Sequence, residues 1–201
     1  MVFVSNFYCI PPLKGAAVQT WTNEVAKRLC FFEPHTISVS DEFLPLKEYR
    51  DGVYHHRIYL SKLYRIFQKI LGLDIYSYND RVLREIKRIK PNIVHFQNYH
   101  NGVENLVKKI RHWNKDIKII LHLHNFYDFS EKNFDLFDVV VTCSDFLLKN
   151  FKNLPQAKLY QVIKNGVDFK KFCKIPKNNN KKVIGFVGRI VPQKHLEYII
   201  E

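Results

Sequence analysis

Hydrophobic positions along the chain fall into short β-rich runs that alternate with longer segments of helical spacing. The β-rich runs are residues 2–7, 36–40, 53–59, 93–96, 118–122, 139–143 and 159–163. The helical patterns cover about residues 18–30, 60–71, 78–89, 102–113 and 145–151. Strands that alternate with helices are typical of a parallel sheet covered by helices on both faces. The sequence therefore predicts an α/β, Rossmann-like domain.

The end of the chain predicts the start of a second domain. We place the first domain at residues 1–173 and a linker at 174–182, because that stretch is polar, contains proline and lacks apolar periodicity. A fully buried strand is expected at 183–187 and the opening turns of a helix at 194–201. One strand and a short helix cannot bury their own apolar faces. We therefore expect residues 183–201 to begin an incomplete second Rossmann-like domain, whose remainder lies on another polypeptide or is missing from a truncated copy.

Composition and charge narrow the class of protein. A hydrophobic content of 46% with only 7 Gly and 8 Pro excludes disordered and fibrous proteins. The excess of 32 Lys and Arg over 19 Asp and Glu gives a net charge of +13, which favours a polyanionic partner: nucleic acid, anionic lipid or a phosphorylated small molecule. The 4 Cys are scattered without a C-x-x-C pair, as expected for thiols in a reducing cytosol. The N-terminus has the pattern of a first strand and not of a signal peptide, and no apolar run approaches the roughly 20 residues of a membrane span.

The segments that follow the predicted strands are the candidate site. Ligands of a parallel α/β sheet bind outside the carboxyl ends of its strands. In the first domain this rule selects residues 8–15, 97–98 and 124–125. In the second unit it selects residues 188–194.

Small residues lead into the first predicted helix. Gly15 and Ala16 allow backbone N–H groups to approach an anion at the helix N-terminus. A structural turn between strand and helix explains the same residues equally well. The loop is neither a G-x-G-x-x-G fingerprint nor a Walker-type loop.

Two cations stand at the matching position of the second unit. Arg189 at a strand end and Lys194 one turn into the next helix can converge on a diphosphate. Solvated surface cations are the alternative, and the spacing does not separate the two interpretations.

The histidines are the remaining candidates for chemistry. His124 lies nearest a strand end, whereas His95 lies within a strand and is expected to be a core histidine with satisfied hydrogen bonds. We expect the side chains of His122 and His124 to point to opposite faces of the sheet, so that they do not bind one metal ion; no metal site is expected. Beside a sugar or phosphate, His124 would act as a neutral hydrogen-bonding group or as a charge that stabilises a leaving group.

Six motifs follow one another along the chain. They are Pro12-x-x-Gly15-Ala16, Pro91-Asn92-Ile93-Val94-His95, Leu121-His122-Leu123-His124-Asn125, Asp138-Val139-Val140-Val141-Thr142-Cys143-Ser144, Ile163-x-Asn165-Gly166-Val167-Asp168-x-x-x-Phe172 and Val187-Gly188-Arg189-Ile190-x-x-x-Lys194. Together they resemble the retaining GT-B glycosyltransferases, specifically glycosyltransferase family 4. The last two motifs are the specific ones. Two-domain sugar-nucleotide epimerases share the architecture but match these two less well.

The resemblance implies a nucleotide-diphosphate sugar donor held between two Rossmann-like domains, with the acceptor, a glycan or a lipid-linked glycan, mostly on the first domain. Arg189 and Lys194 would neutralise the donor diphosphate, and Gly15 and Ala16 would pack against it. His124 would lie beside the donor sugar. The resemblance also implies that Asn165 and Gly166 lie at the interdomain position. The transfer would retain the anomeric configuration and need neither a metal ion nor another cofactor.

The chain departs from the family pattern at three places. Ala16 replaces the second glycine of a usual Gly-Gly pair, and His195 follows Lys194 where glycine is usual. The paired-glutamate motif that binds the donor sugar and ribose is expected beyond Glu201. We therefore expect little or no transferase activity from the 201 residues alone. A non-catalytic remnant, or the binding partner of a separate donor-domain chain, is the alternative function.

The predicted helix over residues 60–71 raises the question of a membrane partner. Its cations Lys62, Arg65 and Lys69 lie opposite its apolar positions, as in a helix that lies on an anionic membrane. An ordinary sheet-covering helix with a solvated basic face fits the same pattern. We expect a cytoplasmic protein; a peripheral position on the inner face of the cytoplasmic membrane is the alternative that this helix offers. A nucleic-acid-binding protein is a further alternative function, but no nucleic-acid-binding motif occurs and nucleic acid is not an expected partner.

Overall fold

A computed structural model describes residues 1–61, 64, 77–98, 102–125, 133–150, 159–172, 185–188, 190–192 and 195–200. The chain divides into two compact units, Met1–Asn165 and Gly166–Glu201. The predicted linker over 174–182 and most of the predicted helix over 60–71 lie outside the described residues.

The first unit alternates strands and helices. Its elements are β1 (Val2–Val4), α1 (Ala17–Ala26), β2 (His35–Val39), β3 (Lys47–Arg50), β4 (Val53–Ile58), α2 (Tyr78–Ile89), β5 (Ile93–Gln97), α3 (Val103–Trp113), β6 (Lys118–Leu123), β7 (Val139–Thr142), α4 (Asp145–Asn150) and β8 (Tyr160–Val162). The strands form one sheet in the order β3-β4-β2-β1-β5-β6-β7-β8. All neighbouring pairs are parallel except β3 and β4. The predicted α/β, Rossmann-like sheet is confirmed.

The two faces of the sheet differ in character. Side chains alternate between the faces along each strand. One face carries the large core, in which Phe96 of β5 and Leu121 of β6 pack with the fully buried Ile86 of α2 and Ile110 of α3. The face toward α1 carries a much smaller apolar cluster centred on Phe3. Buried polar side chains occupy much of the rest of that second face, among them His95, Gln97 and His122.

The strand β3 is an addition to the predicted elements. It pairs with β4 through a two-residue turn, Asp51-Gly52, in which both residues have positive φ, 52° and 81°. These angles are those of a type I′ turn, whose twist matches that of the flanking strands and which favours Asp-Gly. The Asp-Gly pair that directly precedes residues 53–58 is a sequence feature that predicts such a hairpin.

Replacing Gly52 with alanine is expected to lower the free energy of unfolding by about 1 to 2 kcal/mol, because an L-residue is strained at positive φ. An added Cβ at Gly52 would meet no atom within 4 Å, so the conformation alone carries the cost. Urea denaturation measures it. Gly15→Ala is the matched control, because it also meets no atom within 4 Å and has no positive φ. Equal losses for the two variants would contradict the turn assignment.

The second unit departs from its prediction. Gly185, Phe186 and Val187 lie in no strand and are exposed, Val187 fully so, with a relative accessibility of 101%. The fully buried strand predicted at 183–187 is therefore wrong for its described residues. A strand is stable only when neighbouring strands pair with its backbone, and the described residues of this unit form no other strand. Within the predicted helix over 194–201, a short helix α5 covers Glu197–Ile200.

Candidate functional site

The order of the strands locates a crevice at the carboxyl edge of the sheet. The chain runs from β1 through β2 to β4 on one side, and from β5 to β8 on the other. The strand order therefore reverses between β1 and β5, which are adjacent and parallel. Such a switch point is where ligands bind in open α/β sheets. The residues that follow these two strands are Ser5 and Asn6 after β1, and Asn98 after β5.

The loop after β1 is held in place at Ile10, which is fully buried. The backbone N–H of Ile10 donates a hydrogen bond to Ser38 Oγ of the strand β2 at 3.1 Å. Its carbonyl accepts two hydrogen bonds from the Arg57 guanidinium of β4, from Nε at 3.0 Å and from Nη2 at 2.8 Å. Both contacts are buried, so they fix the course of the loop toward α1.

The N-terminus of α1 follows this loop. Ala16 is its N-cap residue in an extended conformation, without a side-chain cap, and the first turn carries no acidic residue. The first amides of a helix have no partner within the helix. Gln19 in the first turn donates from Nε2 to the Ser5 Oγ at 2.7 Å, which ties α1 to the end of β1. Ala16 replaces glycine without strain, because its φ of −145° suits any residue. Gly15 just before it is exposed.

A cavity of about 170 Å³ lies between the loop after β1 and the end of β2. Its lining includes Phe7, Tyr8, Lys14 and Asp41. The Phe7 and Tyr8 rings are half-exposed. The cavity thus combines aromatic faces with one cation and one carboxylate, all close to the carboxyl edge.

His124 lies just past the end of β6 and is held by three kinds of contact. Its backbone N–H donates to Asn98 Oδ1 at 2.7 Å, and its Nε2 contacts Gln97 Oε1 at 2.8 Å. Its ring stacks on His122, with 4.1 Å between the centroids, and meets the edge of Trp21 at 5.2 Å. Burial lowers the pKa of His124 to about 4, so its imidazole is neutral at pH 7.

His122 and His124 share one face of the sheet. The expectation that they point to opposite faces is wrong, because residues two apart on a strand lie on the same side. His95 of β5 stacks on His122 at 5.5 Å, nearly parallel, and Trp21 of α1 meets the His122 ring edge-on at 4.6 Å. The three imidazoles and the indole therefore form one aromatic stack, which we call the histidine stack.

His95 is a core histidine, but its hydrogen bonds are not satisfied as expected. It is 6% exposed, and neither of its ring nitrogens has a hydrogen-bond partner among the described residues. The ring nitrogens of His122 have none there either. Burial, with the neighbouring His124 as a smaller cause, lowers the pKa of His95 to about 3 and that of His122 to about 2. Both rings are therefore neutral.

The structure describes two of the remaining predicted site residues, Asn165 and Gly166. Arg189 and Lys194 lie outside the described residues, as do Lys62, Arg65 and Lys69 of the predicted basic helix. Asn165 ends the first compact unit and Gly166 begins the second. Their interdomain role stays a prediction.

The described part of the chain contains neither a cluster of metal ligands nor a membrane-spanning helix. Over those residues, no three His, Cys, Asp or Glu side chains converge in a way that could hold a metal ion. The predicted absence of a metal site stays a prediction. Within the same described ranges, no helix has the length and hydropathy that crossing a membrane requires.

Two contacts of His124, with Trp21 and with Gln97, could not be predicted from the sequence. Trp21 was one apolar position of a helical pattern, and only the packing of α1 on the sheet brings it over the histidines. Gln97 was selected by its position at a strand end, but its bond to His124 depends on the pairing of β5 with β6. The sequence did contain the information that His122 and His124 share a face, because side chains two residues apart on a strand point to the same side.

Two solved structures share the fold class of this chain, the Rossmann-like α/β class. The chain is similar to sucrose-phosphate synthase from Thermosynechococcus elongatus, with a TM-score of 0.60 and 10% identity over 87% of this chain and 50% of that one. It is also similar to the N-terminal domain of trehalose-6-phosphate phosphatase from Candida albicans, with a TM-score of 0.55 and 12% identity over 85% and 49%. The chain has the Rossmann-like α/β fold of this class.

The sequence identifies the family within that class. The family model described as Glycosyltransferase Family 4 matches residues 19–171, well over half of the chain. This chain belongs to glycosyltransferase family 4. It is 26% identical over 208 aligned residues to the lipopolysaccharide 1,2-N-acetylglucosaminetransferase of Salmonella typhimurium strain LT2. That alignment covers 98% of this chain and 54% of the relative, so the chain spans about half the length of this curated relative.

Proposed function

We propose that this chain forms the acceptor-side part of a retaining glycosyltransferase that moves a sugar from a nucleotide-diphosphate sugar to a glycan. The acceptor class that we propose is the glycan of a lipopolysaccharide or of another lipid-linked saccharide; the name of the Salmonella relative includes lipopolysaccharide. The observation that carries the proposal is the position of His124. In a chain of this family, a neutral and firmly held imidazole lies at the carboxyl edge of the sheet, beside the switch point.

His124 serves in this proposal as a neutral hydrogen-bonding group beside the donor sugar. The alternative, a positive charge that stabilises the leaving group, requires a protonated ring. The pKa of about 4 that burial imposes opposes protonation at pH 7. Neutral His124 can exchange a hydrogen bond with a sugar hydroxyl without the cost of burying a charge.

The donor diphosphate is proposed to lie at the N-terminus of α1, near Gly15 and Ala16. This helix end has no side-chain cap and no acidic residue in its first turn, both of which favour an anion there. Arg189 and Lys194 are proposed to approach the same diphosphate and to stabilise its charge as it leaves, without a metal ion.

The acceptor glycan is proposed to use the cavity that Phe7, Tyr8, Lys14 and Asp41 line. The half-exposed Phe7 and Tyr8 rings offer apolar surface to the C–H face of a sugar, and Asp41 can accept hydrogen bonds from its hydroxyls. Lipid-linked acceptors lie at a membrane surface. The net charge of +13 supports a peripheral position on the anionic inner face of the cytoplasmic membrane.

The gene itself allows a direct test in the organism that encodes it. Disruption of the gene is expected to remove one sugar residue from the lipid-linked glycans. Mass spectrometry of the extracted glycans measures this loss. The wild-type gene should restore that residue, and His124→Ala should not, since a substrate that loses its orientation can react about 100-fold more slowly.

His112→Ala is the matched control, because His112 is exposed near the end of α3 and lies outside the histidine stack. It should restore the glycan fully. An unchanged glycan profile after disruption would refute the transferase function and favour a non-catalytic remnant. Full restoration by His124→Ala would refute the role of that histidine.

A further inference from the structure

Gln97 is placed where it can control the ring of His124. It is the last residue of β5, is 1% exposed, and lies opposite His122 in the parallel register of β5 and β6. Register partners in a parallel pair point to the same face, so Gln97 and the histidine stack share the face toward α1. Its Oε1 lies 2.8 Å from His124 Nε2.

Other contacts of His124 hold the residue in place, but they do not determine which ring nitrogen carries the proton. The hydrogen bond from its backbone to Asn98 involves no ring atom. Stacking on His122 and the edge contact with Trp21 set the plane of the ring. Among the hydrogen bonds of the described residues, the one to Gln97 is the one that reaches a ring nitrogen of His124.

We propose that Gln97 is a positioning residue that sets the tautomer of His124, with the proton on Nε2 and the lone pair on Nδ1. An amide oxygen can only accept a hydrogen bond, so the ring nitrogen that faces it must be the donor. A neutral imidazole has one N–H, and Nδ1 is then left as an acceptor. One consequence for the substrate rests on the proposed function. His124 would accept a hydrogen bond from a sugar hydroxyl through Nδ1.

The amide nitrogen of Gln97 supports a direct part in the same site. It is buried and has no hydrogen-bond partner among the described residues. A buried donor without a partner destabilises the folded chain, because it has lost its hydrogen bonds to water. A ligand oxygen at the carboxyl edge would satisfy it. Gln97 would then orient His124 through Oε1 and donate to the ligand through Nε2.

The tautomer can be measured without any transferase assay. We would record long-range ¹H–¹⁵N spectra of the histidine rings in the full 201-residue chain at pH 7.5. The expected result is an Nε2-protonated His124 in the wild type. Gln97→Leu should give a mixture of tautomers. Gln97→Glu should keep the proton on Nε2 and raise the pKa of His124 by roughly one unit, since a carboxylate stabilises the charged ring.

Gln161→Leu is the matched control, because Gln161 is an exposed glutamine on the strand β8. Its His124 spectrum should match that of the wild type. An Nδ1-protonated His124 in the wild type would overturn the proposal, and this outcome needs no variant that must fold. An unchanged tautomer in Gln97→Leu would overturn it as well. The ring spectra do not depend on transfer, so failure of the proposed function would leave this result standing.

Discussion

Lowering the pH from 6.5 to 5 is expected to reduce the free energy of unfolding by roughly 1 to 2 kcal/mol for each of five histidines, four of them buried and His124 partly buried. Burial is the main cause of the lowered pKa in all five. The pKa falls to about 2 for His122, about 3 for His95, and about 4 for His55, His56 and His124. The combined loss would be a large part of the roughly 5 to 15 kcal/mol that stabilises a typical protein.

The direction follows from the protons bound in each state. Well above pH 6.5 these histidines are neutral in both the folded and the unfolded chain, so they add no pH dependence there. Between pH 6.5 and their folded pKa values, the unfolded chain binds protons that the folded chain does not. Stability therefore falls as the pH drops through this interval. Below the folded pKa values the penalty is complete and no longer grows.

Urea denaturation at pH 7.5, 6.5, 5.5 and 5.0, followed by tryptophan fluorescence, measures this dependence. His122→Phe keeps an aromatic ring in the histidine stack and should flatten the slope by about 1.4 kcal/mol per pH unit, the contribution of one proton. His112→Phe changes an exposed histidine and should leave the slope unchanged. A free energy of unfolding that stays constant from pH 7.5 to 5.0 would show that the histidines are not buried as described.

Replacing Arg57 with methionine is expected to cost about 3 to 5 kcal/mol of stability. Arg57 is 4% exposed. Its guanidinium donates to the carbonyls of Ile10 and Pro45 and pairs with Glu48 Oε1 at 2.7 Å. The substitution would leave a partly buried carboxylate and a buried carbonyl without their donors. It would also release the loop after β1, which leads to Gly15 and α1.

Arg28→Met is the control for this variant, because Arg28, just past the end of α1, is exposed and pairs with Glu24 at 2.6 Å. A surface pair of this kind contributes at most about 1 kcal/mol. Urea denaturation at pH 7.5 compares the two variants. If Arg57→Met cost no more than Arg28→Met, the guanidinium would not be the anchor of the loop.

Local signals explain why some elements could be predicted. The helix α2 has the predicted bounds, Tyr78–Ile89, because Ser77 and Asp80 form a capping box at its start and Pro91 follows its end. The strand β3 was missed because Lys47–Arg50 carries no apolar run, although the Asp-Gly pair after it predicts a hairpin.

The candidate site was predicted in part. The strand-end rule selected His124 and Gln97 from their positions in the sequence. Their contact could not be predicted, because it depends on the register between β5 and β6. The histidine stack could not be predicted from the sequence either, because its rings come from two strands and one helix. Arg189 and Lys194 stay predictions.

The hairpin at the outer side of the sheet has a consequence for self-association. Without β3, β4 would be the edge strand of the sheet. Its unpaired backbone N–H and C=O groups could then pair with a strand of another molecule. β3 covers them with a strand of four residues, of which Lys47, Glu48 and Arg50 carry charge. A second molecule would have to desolvate those charges to extend the sheet, so this short strand protects the protein from edge-to-edge aggregation on that side.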